Sequence, residues 1–139
     1  MFKKTGFTQV DIHNYLIGQN CILAYETAAD YLCLCNMCSD RKAYYVYAKE
    51  DLKLEGVVCI LVDSLDSIPY IVKNDIKVTT EERTIIDLLR NDRDDQVIQE
   101  AMSYWYETHG QSFSDLNIPD DIKATFDSYV DDAIHYYDD

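Results

Sequence analysis

Three cysteines lie within one short run, at Cys33, Cys35 and Cys38. Thiolates at such spacings can hold a zinc ion, but a structural zinc site needs four ligands, usually as two close pairs. Cys35 and Cys38 form one pair, and a fourth ligand would have to come from Cys21, Cys59 or an isolated histidine. We therefore predict no metal site and expect Cys33 and Cys35 to be small core residues at a helix end. A metal or redox role for the run stays open.

No group of residues in the sequence predicts catalysis. The chain has neither a glycine-rich phosphate loop nor a G-x-S-x-G nucleophile motif. The histidines, His13, His109 and His135, are isolated, and nothing selects a cysteine as a nucleophile beside one of them. Carboxylates are so abundant that two of them close together carry little weight. We therefore expect a protein that is not an enzyme and that uses no cofactor.

Negative charge is the strongest feature of the composition. The 139 residues include 26 acids and 12 bases, a net charge of −14. Residues 87–139 hold 14 of the acids and 3 of the bases, a net of −11. Such a surface repels phosphate backbones, which argues against direct nucleic-acid binding, and it suits a basic protein partner. The plainer alternative is that the charge only keeps the protein dispersed in solution.

The acidic C-terminal segment, residues 111–139, is the candidate docking surface. Its aspartates could contact a basic partner, and its tyrosines could anchor the interface. The candidate partner-binding residues are Asp115, Asp120, Asp121, Asp127, Asp131, Asp132, Asp138, Asp139 and Tyr136. We expect this segment to be a loop followed by a last helix, with Ile122, Phe126, Val130, Ala133 and Tyr137 facing inward.

Hydrophobic periodicity predicts helices, then strands, then helices. Early helices are predicted over 8–18 and 23–36, and later ones from residue 79 onward. Strands are predicted over 43–48, 56–62, 68–73 and 75–80. The uninterrupted apolar run at 56–62 predicts a central strand covered on both faces, and Lys73–Asp75 predicts a turn. The expected fold is one α+β domain, 1–139, with a small mixed or antiparallel sheet packed against helices and a helical C-terminal part.

The most organised stretch is "TTEERTIIDLLRNDRDDQVIQEAMSYW", which predicts two successive helices. Thr79 and Glu82 have the spacing of a capping box for the first helix, and Asp92 could cap the second. Arg83 and Asp87 are four residues apart, so they share a helix face and can pair. We interpret that pair as a brace between the helix and the sheet.

The same region resembles a known family. "IKVTTEERTIIDLLRNDRDDQVIQEAMSYW" is similar to the signature of AbiEi-type antitoxins of type IV toxin–antitoxin systems, in which a strand ending "v-t-s" precedes "E-R-T-i-x-D-l-l-R" and a helix with "e-A-l". The matching residues are Val78, Thr79, Glu82, Arg83, Thr84, Asp87, Leu88, Leu89, Arg90, Glu100 and Ala101. A looser upstream match extends the resemblance to residues 23–105.

The resemblance implies an antitoxin-like domain that neutralises or regulates a partner protein. It covers the C-terminal domain of the family only, because the 22 residues that precede it are too few for the family's winged helix-turn-helix. Thr79, Glu82, Arg83 and Asp87 would then be fold-forming. The sequence gives no sign of an export signal or a membrane span, so we expect a cytoplasmic protein.

Two alternatives remain beside the antitoxin hypothesis. An acidic chain could mimic nucleic acid and block the basic groove of a nucleic-acid enzyme, as phage or mobile-element anti-defence and anti-CRISPR proteins do. It could also be the remnant of a lost regulator. The sequence does not decide among them, and it leaves the oligomeric state undetermined.

Overall fold

The computed structural model describes residues 8–36 and 43–136. Within these ranges the helices are α1 (Thr8–Leu16), α2 (Tyr25–Tyr31), α3 (Glu81–Arg90), α4 (Asp95–Thr108) and α5 (Lys123–Ile134). The strands are β1 (Ile22–Leu23), β2 (Tyr44–Ala48), β3 (Val57–Leu61), β4 (Tyr70–Lys73) and β5 (Ile76–Thr79). A short 3-10 helix, Asp120–Ile122, leads into α5. The predicted α+β class and helical C-terminal part are confirmed.

The strands of the described residues form one five-stranded mixed sheet in the order β3-β2-β1-β5-β4. β1 lies at the centre, antiparallel to β2 and parallel to β5. β3 is parallel to β2, and β4 is antiparallel to β5. Consecutive strands β4 and β5 form a hairpin whose turn residues Asn74 and Asp75 have φ values of 51° and 66°. Positive φ at both turn positions is the type I′ geometry, which matches the twist of hairpin strands and confirms the predicted turn.

The prediction that β3 is a central, doubly covered strand is wrong. β3 forms one edge of the sheet, and Val58 and Leu61 are 46% and 60% exposed. An apolar run has no period that distinguishes an edge strand from a buried one. Its inner face is nevertheless covered, because Cys59 packs against the buried cluster on that side and its Sγ lies 3.5 Å from Leu52 N of the preceding connection. The apolar run therefore reflects partial cover by a loop rather than by helices.

The predicted helix over 23–36 is shorter than expected. Its first residue instead belongs to β1, and α2 ends at Tyr31. Cys33 follows the helix with φ 62° and is exposed, so the expectation that it is a core residue is wrong. Cys35 is buried as expected. A two-residue strand leaves no alternation to read, which explains why β1 was missed.

The capping residues of α3 differ from the prediction. The Thr80 hydroxyl, rather than that of Thr79, accepts the hydrogen bond from Arg83 N at 3.1 Å. The Thr79 hydroxyl instead lies 2.6 Å from the Thr84 hydroxyl. The Glu82 carboxylate accepts a hydrogen bond from Asn117 N at 2.9 Å, so it does not close a capping box. The motif shifts by one residue because Thr79 still belongs to β5.

The cap of α4 is also displaced by two residues. Asp94, rather than Asp92, accepts hydrogen bonds from Gln96 N at 2.9 Å and Val97 N at 3.3 Å. Asp92 has φ 50° in the turn between α3 and α4. Aspartate tolerates this left-handed conformation better than most residues, so Asp92 serves the turn and Asp94 serves the helix.

Among the described residues, three clusters of buried side chains hold these layers together. One lies between the sheet and α1 and α2, and a second lies among α2, α3, α4 and α5. A third covers the opposite face of the sheet, where Leu65 and Ile68 of the β3–β4 connection pack on Tyr47. Helix α2 serves two clusters, because Ala28 belongs to the sheet side and Ala29 to the helical side. Of the predicted inward residues of the last helix, Ile122, Phe126 and Ala133 are buried, Val130 is half-buried, and Tyr137 lies outside the described residues.

Candidate functional site

The acidic C-terminal segment occupies the outer side of the helical layer. Its described aspartates lie in the loop before the 3-10 helix, in that helix, and on α5. All six are exposed: Asp115, Asp120, Asp121, Asp127, Asp131 and Asp132. Asp138 and Asp139 lie outside the described residues. The described members of the candidate site are therefore available to a partner.

Two of these carboxylates already have basic partners within the chain. Arg90 donates to both oxygens of Asp121, at 2.9 Å and 3.1 Å, and this contact lowers the pKa of the Asp121 carboxyl. Lys123 donates to Asp127 at 2.5 Å, one helical turn away. Both pairs are well exposed, so solvent screens them and they add little to stability. They do reduce the negative charge that these two positions offer to a partner.

The other four carboxylates are different. The side chains of Asp115, Asp120, Asp131 and Asp132 have no hydrogen-bond or ion-pair partner among the described residues. Asp131 and Asp132 are neighbours on α5, so their side chains point about 100° apart around the helix axis. The unpaired charge thus wraps around the exposed side of α5 rather than forming one flat patch.

Acidic residues of the α3–α4 turn extend this surface. The Tyr129 hydroxyl on α5 donates to the Asp95 carboxylate at the start of α4, and this hydrogen bond, more than burial, raises the pKa of Tyr129 to about 12. Asp92, Asp94 and Asp95 are exposed beside this contact. Asp132 follows Tyr129 by three residues, on the same side of α5. The exposed acids of the α3–α4 turn therefore lie next to those of α5 on the surface.

The described candidate aspartates do not line the groove beside them. This groove, of about 540 Å³, lies between the loop after α4 and the start of α5. Its walls are mostly apolar and include Phe113, Leu116, Ile118, Pro119 and Phe126. The acidic residues are thus arranged for contact with an external surface rather than for enclosing a small ligand.

Tyr136 has an intramolecular role. Its hydroxyl donates to Glu100 Oε2 at 2.8 Å. Glu100 is buried and also accepts hydrogen bonds from Asn36 N at 3.0 Å and Asn36 Nδ2 at 2.6 Å. Tyr136 is half-buried, so only part of its ring remains for a partner.

Arg83 and Asp87 form the predicted pair. Arg83 Nε donates to Asp87 Oδ1 at 2.8 Å, and the Tyr47 hydroxyl of β2 donates to Asp87 Oδ2 at 2.6 Å. Asp87 is 3% exposed, and the Arg83 guanidinium lies 5.7 Å from the centre of the Tyr47 ring. One carboxylate thus joins α3 to the sheet. Each oxygen of this carboxylate accepts from a different residue, one from Arg83 and one from Tyr47.

A second buried pair was missed by the sequence analysis. Arg93 Nε donates to the carboxylate of Glu26 at 3.0 Å and 3.2 Å. The Arg93 guanidinium lies over the rings of Tyr45 and Tyr25, at 4.4 Å and 4.9 Å. Arg93 and Glu26 are 67 residues apart, so no local spacing could connect them. Tyr25 opens α2 with φ 51°, a strained conformation for a residue with a bulky side chain.

The cysteines of the described residues do not converge. Cys35 Sγ donates to Asp30 at 3.2 Å, whereas Gln9 Nε2 donates to the exposed Cys33 Sγ at 2.8 Å. Cys38 lies outside the described residues. Over residues 8–36 and 43–136, no three His, Cys, Asp or Glu side chains are grouped as a metal site would require. Burial raises the pKa of the Cys21 thiol to about 11, which makes it a poor nucleophile.

Neither a protein-family model nor a curated protein matches the chain. In the part of the chain that the structure describes, no helix combines the length and apolar character needed to cross a bilayer.

Proposed function

We propose that this chain is a non-enzymatic protein-binding domain, similar to an AbiEi-type antitoxin, whose acidic C-terminal surface docks a basic partner protein. The observation that carries the proposal is the group of four exposed, unpaired carboxylates at Asp115, Asp120, Asp131 and Asp132. Asp131 and Asp132 are adjacent on α5, so their like charges repel, and a cationic partner would offset this repulsion. The resemblance of residues 76–105 to the antitoxin signature supports a toxin or another regulated protein as that partner.

The scaffold fits this role. Arg83, Asp87 and Tyr47 join α3 to the sheet, and Arg93 and Glu26 join the α3–α4 turn to α2. These contacts fix the helical layer on which the acidic side chains stand. A fixed array of charges binds with less loss of conformational entropy than a flexible acidic tail. We therefore expect these two sets of contacts to affect the affinity for a partner only by fixing the position of α5.

A second candidate, a nucleic-acid mimic, is favoured by one specific feature. Asp127 and Asp131 are one turn apart on the exposed side of α5, and a helical turn advances about 5.4 Å. Lys123 pairs with Asp127, so Asp131 carries the unpaired charge of the two. Carboxylates repeated along one line could stand where backbone phosphates would in a basic groove. On this hypothesis the partner is a nucleic-acid enzyme, and added DNA or RNA competes with the protein for it.

The test compares the unmodified chain with two charge variants as bait in a host lysate. One variant carries Asp→Asn at Asp115, Asp120, Asp131 and Asp132. The control carries three neutralised acids outside both the C-terminal segment and the surroundings of β3: Asp75→Asn, Glu81→Gln and Glu107→Gln. A specific partner should be retained by the control and lost with the first variant, with association that weakens as salt rises.

The identity of the retained protein separates the two candidates. A nucleotidyltransferase would support the antitoxin hypothesis, and a nucleic-acid enzyme released by competing DNA or RNA would support mimicry. Equal retention by both variants would contradict a docking role for the acidic C-terminal surface.

A further inference from the structure

The outer edge of β3 carries backbone groups that no described residue pairs. Tyr44 N donates to Gly56 O at 2.8 Å, and Val62 N donates to Ala48 O at 2.9 Å, so both ends of this run face β2. Backbone direction alternates along a strand. Val57, Cys59 and Leu61 therefore direct their backbone groups away from β2. Except for Val57 N, which donates to Leu54 O, these groups have no partner in the described part of the chain.

The side chains of this edge lack the usual protection against added strands. Residues 56–62 contain neither charge nor proline. Val58, 46% exposed, and Leu61, 60% exposed, offer an apolar contact on each face of the strand. Edge strands are normally blunted by lysine, proline or a covering element. An open, uncharged edge is consequently a surface suited to a partner strand.

The opposite edge of the same sheet provides the contrast. β4 is preceded by Pro69 and contains Lys73, and Lys77 lies beside it on β5. Ile71 and Val72 of β4 are 45% and 61% exposed, so apolar exposure alone does not distinguish the two edges. Proline and lysine do distinguish the edges, because Pro69, Lys73 and Lys77 lie at the β4 edge and residues 56–62 contain neither residue type. The difference selects β3 as the edge for pairing.

The charge around β3 indicates what would pair with it. The segments that flank the strand, 49–55 and 63–67, contain five exposed acids and two exposed lysines, a net of −3. An antiparallel pair with a second copy, centred on Cys59, would place Glu55 opposite Asp63 of that copy. Like charges in that position oppose pairing. A strand with basic ends is complementary to the same acids.

We propose that the β3 edge binds an extended segment of the basic partner protein as an added strand, with apolar residues at alternate positions and lysine or arginine at both ends. This rests on the proposed function, because it assigns a second contact to the same partner. Backbone hydrogen bonds at Cys59 and Leu61 supply the pairing, and Val58 and Leu61 supply side-chain contacts. The acidic C-terminal surface and the β3 edge would then engage different parts of one protein.

The experiment uses synthetic peptides with the full chain. The probe is acetyl-KKVTVTVKK-amide, and its controls are KKVTPTVKK, which cannot complete a strand, and EEVTVTVEE, which reverses the end charges. Binding is followed by NMR, with hydrogen exchange measured at the amides of Cys59 and Leu61. We expect the basic probe to bind with a Kd on the order of 1 mM or below, to slow exchange at both amides, and to bind at least about tenfold better than either control.

A matched pair of variants locates the site. Leu61→Pro removes an outward N–H that the β2–β3 ladder does not use, and proline is tolerated at such edge positions. Val72→Pro does the same at the outward side of β4, where side-chain exposure is nearly equal. Leu61→Pro should weaken probe binding about tenfold, and Val72→Pro should leave it unchanged. Should Leu61→Pro fail to fold, the exchange result on the unmodified chain decides.

Several outcomes would overturn the inference. They are unchanged exchange at Cys59 and Leu61, equal binding of the acid-ended peptide, loss of binding with Val72→Pro alone, and protection of both amides by self-association without peptide. None requires the natural partner. A negative peptide result beside a partner that still depends on Asp131 and Asp132 would reject the β3 inference and leave the proposed function standing.

Discussion

Asp87 is held by donors from two secondary-structure elements, and that makes it sensitive to the loss of either one. Tyr47→Phe removes the hydroxyl that donates to Asp87 Oδ2 and leaves a buried carboxylate oxygen without that partner. We expect a loss of about 2 kcal/mol in the free energy of unfolding. Urea unfolding followed by circular dichroism measures it.

The control for this substitution is Tyr70→Phe. Tyr70 is half-buried beside the same cluster of buried residues as Tyr47, and its hydroxyl makes no hydrogen bond with a described residue. Its removal should change the free energy of unfolding by less than about 0.5 kcal/mol. An equal loss at both positions would show that the aromatic contacts, and not the Asp87 hydrogen bond, account for the effect.

The thiols should differ in reactivity. Cys33 is exposed, whereas Cys21 is buried, and its burial together with the nearby Cys59 raises the pKa of the Cys21 thiol to about 11. Because the thiolate is the reactive form, iodoacetamide at mildly alkaline pH should label Cys33 well before Cys21. Peptide mapping by mass spectrometry measures the order. Labelling of Cys21 first would contradict the described burial.

At the scale of elements, the displaced cap of α4 gives a direct comparison. Asp94→Ala removes the acceptor for Gln96 N and Val97 N and should cost about 1 kcal/mol. Asp92→Asn removes a charge at the position that was predicted to cap, but keeps a residue that tolerates φ 50°. It should be nearly neutral in urea unfolding. A larger loss for Asp92→Asn than for Asp94→Ala would indicate that Asp92 caps α4, as the sequence predicted.

The pair of Arg93 with Glu26 links elements that are distant in sequence. Arg93→Met leaves the nearly buried Glu26 carboxylate uncompensated and should cost about 3 kcal/mol. A double-mutant cycle with Glu26→Gln should give a coupling of about 2 kcal/mol, measured by urea unfolding. Arg90→Met is the control, because its contact with Asp121 is exposed, and no measurable loss is expected. Additive effects at Arg93 and Glu26 would contradict the pairing.

The elements also show why the sequence predicted some features and missed others. Helices α3 and α4 and the β4–β5 hairpin were anticipated because their apolar spacing and turn residues are local signals. β1 was missed because two residues carry no period, and β3 was placed at the centre because an uninterrupted apolar run has none either. The contact of Arg93 with Glu26 depends on the folded arrangement alone. Local patterns therefore predicted the class, while the strand order required the packing.

At the scale of the whole molecule, tyrosine ionisation should govern behaviour at high pH. Burial raises the pKa of Tyr44 to about 12 and raises those of Tyr25, Tyr31 and Tyr47, and the Asp95 hydrogen bond raises that of Tyr129 to about 12. In the unfolded chain these groups ionise near pH 10. Between these pH values the folded protein binds more protons than the unfolded chain. The contribution of these tyrosines to the free energy of unfolding is therefore fully present below about pH 10 and is lost as the pH rises toward 12.

Urea unfolding at about pH 9 and about pH 11 measures this decline. Tyr44→Phe should reduce the slope, because it removes one of the linked protons. A free energy of unfolding that is equal at both values would contradict the raised pKa values as a group.

The candidate docking surface was predicted as a set of residues from charge. Which of its aspartates are paired could not be predicted, because Arg90 and Asp121 meet only after α3 and the C-terminal segment pack together.

Helix α2 holds two alanines side by side between two different clusters of buried residues. Ala28 and Ala29 are both fully buried, the first against the sheet and the second against the C-terminal helices. Their methyl groups set the thickness of the molecule at this point, since a larger side chain at either position would push one layer away from the other. A larger side chain at Ala29 would thus increase the distance between the sheet and α5. The spacing between the β3 edge and the acidic C-terminal surface, which are proposed to bind one partner, would change with it.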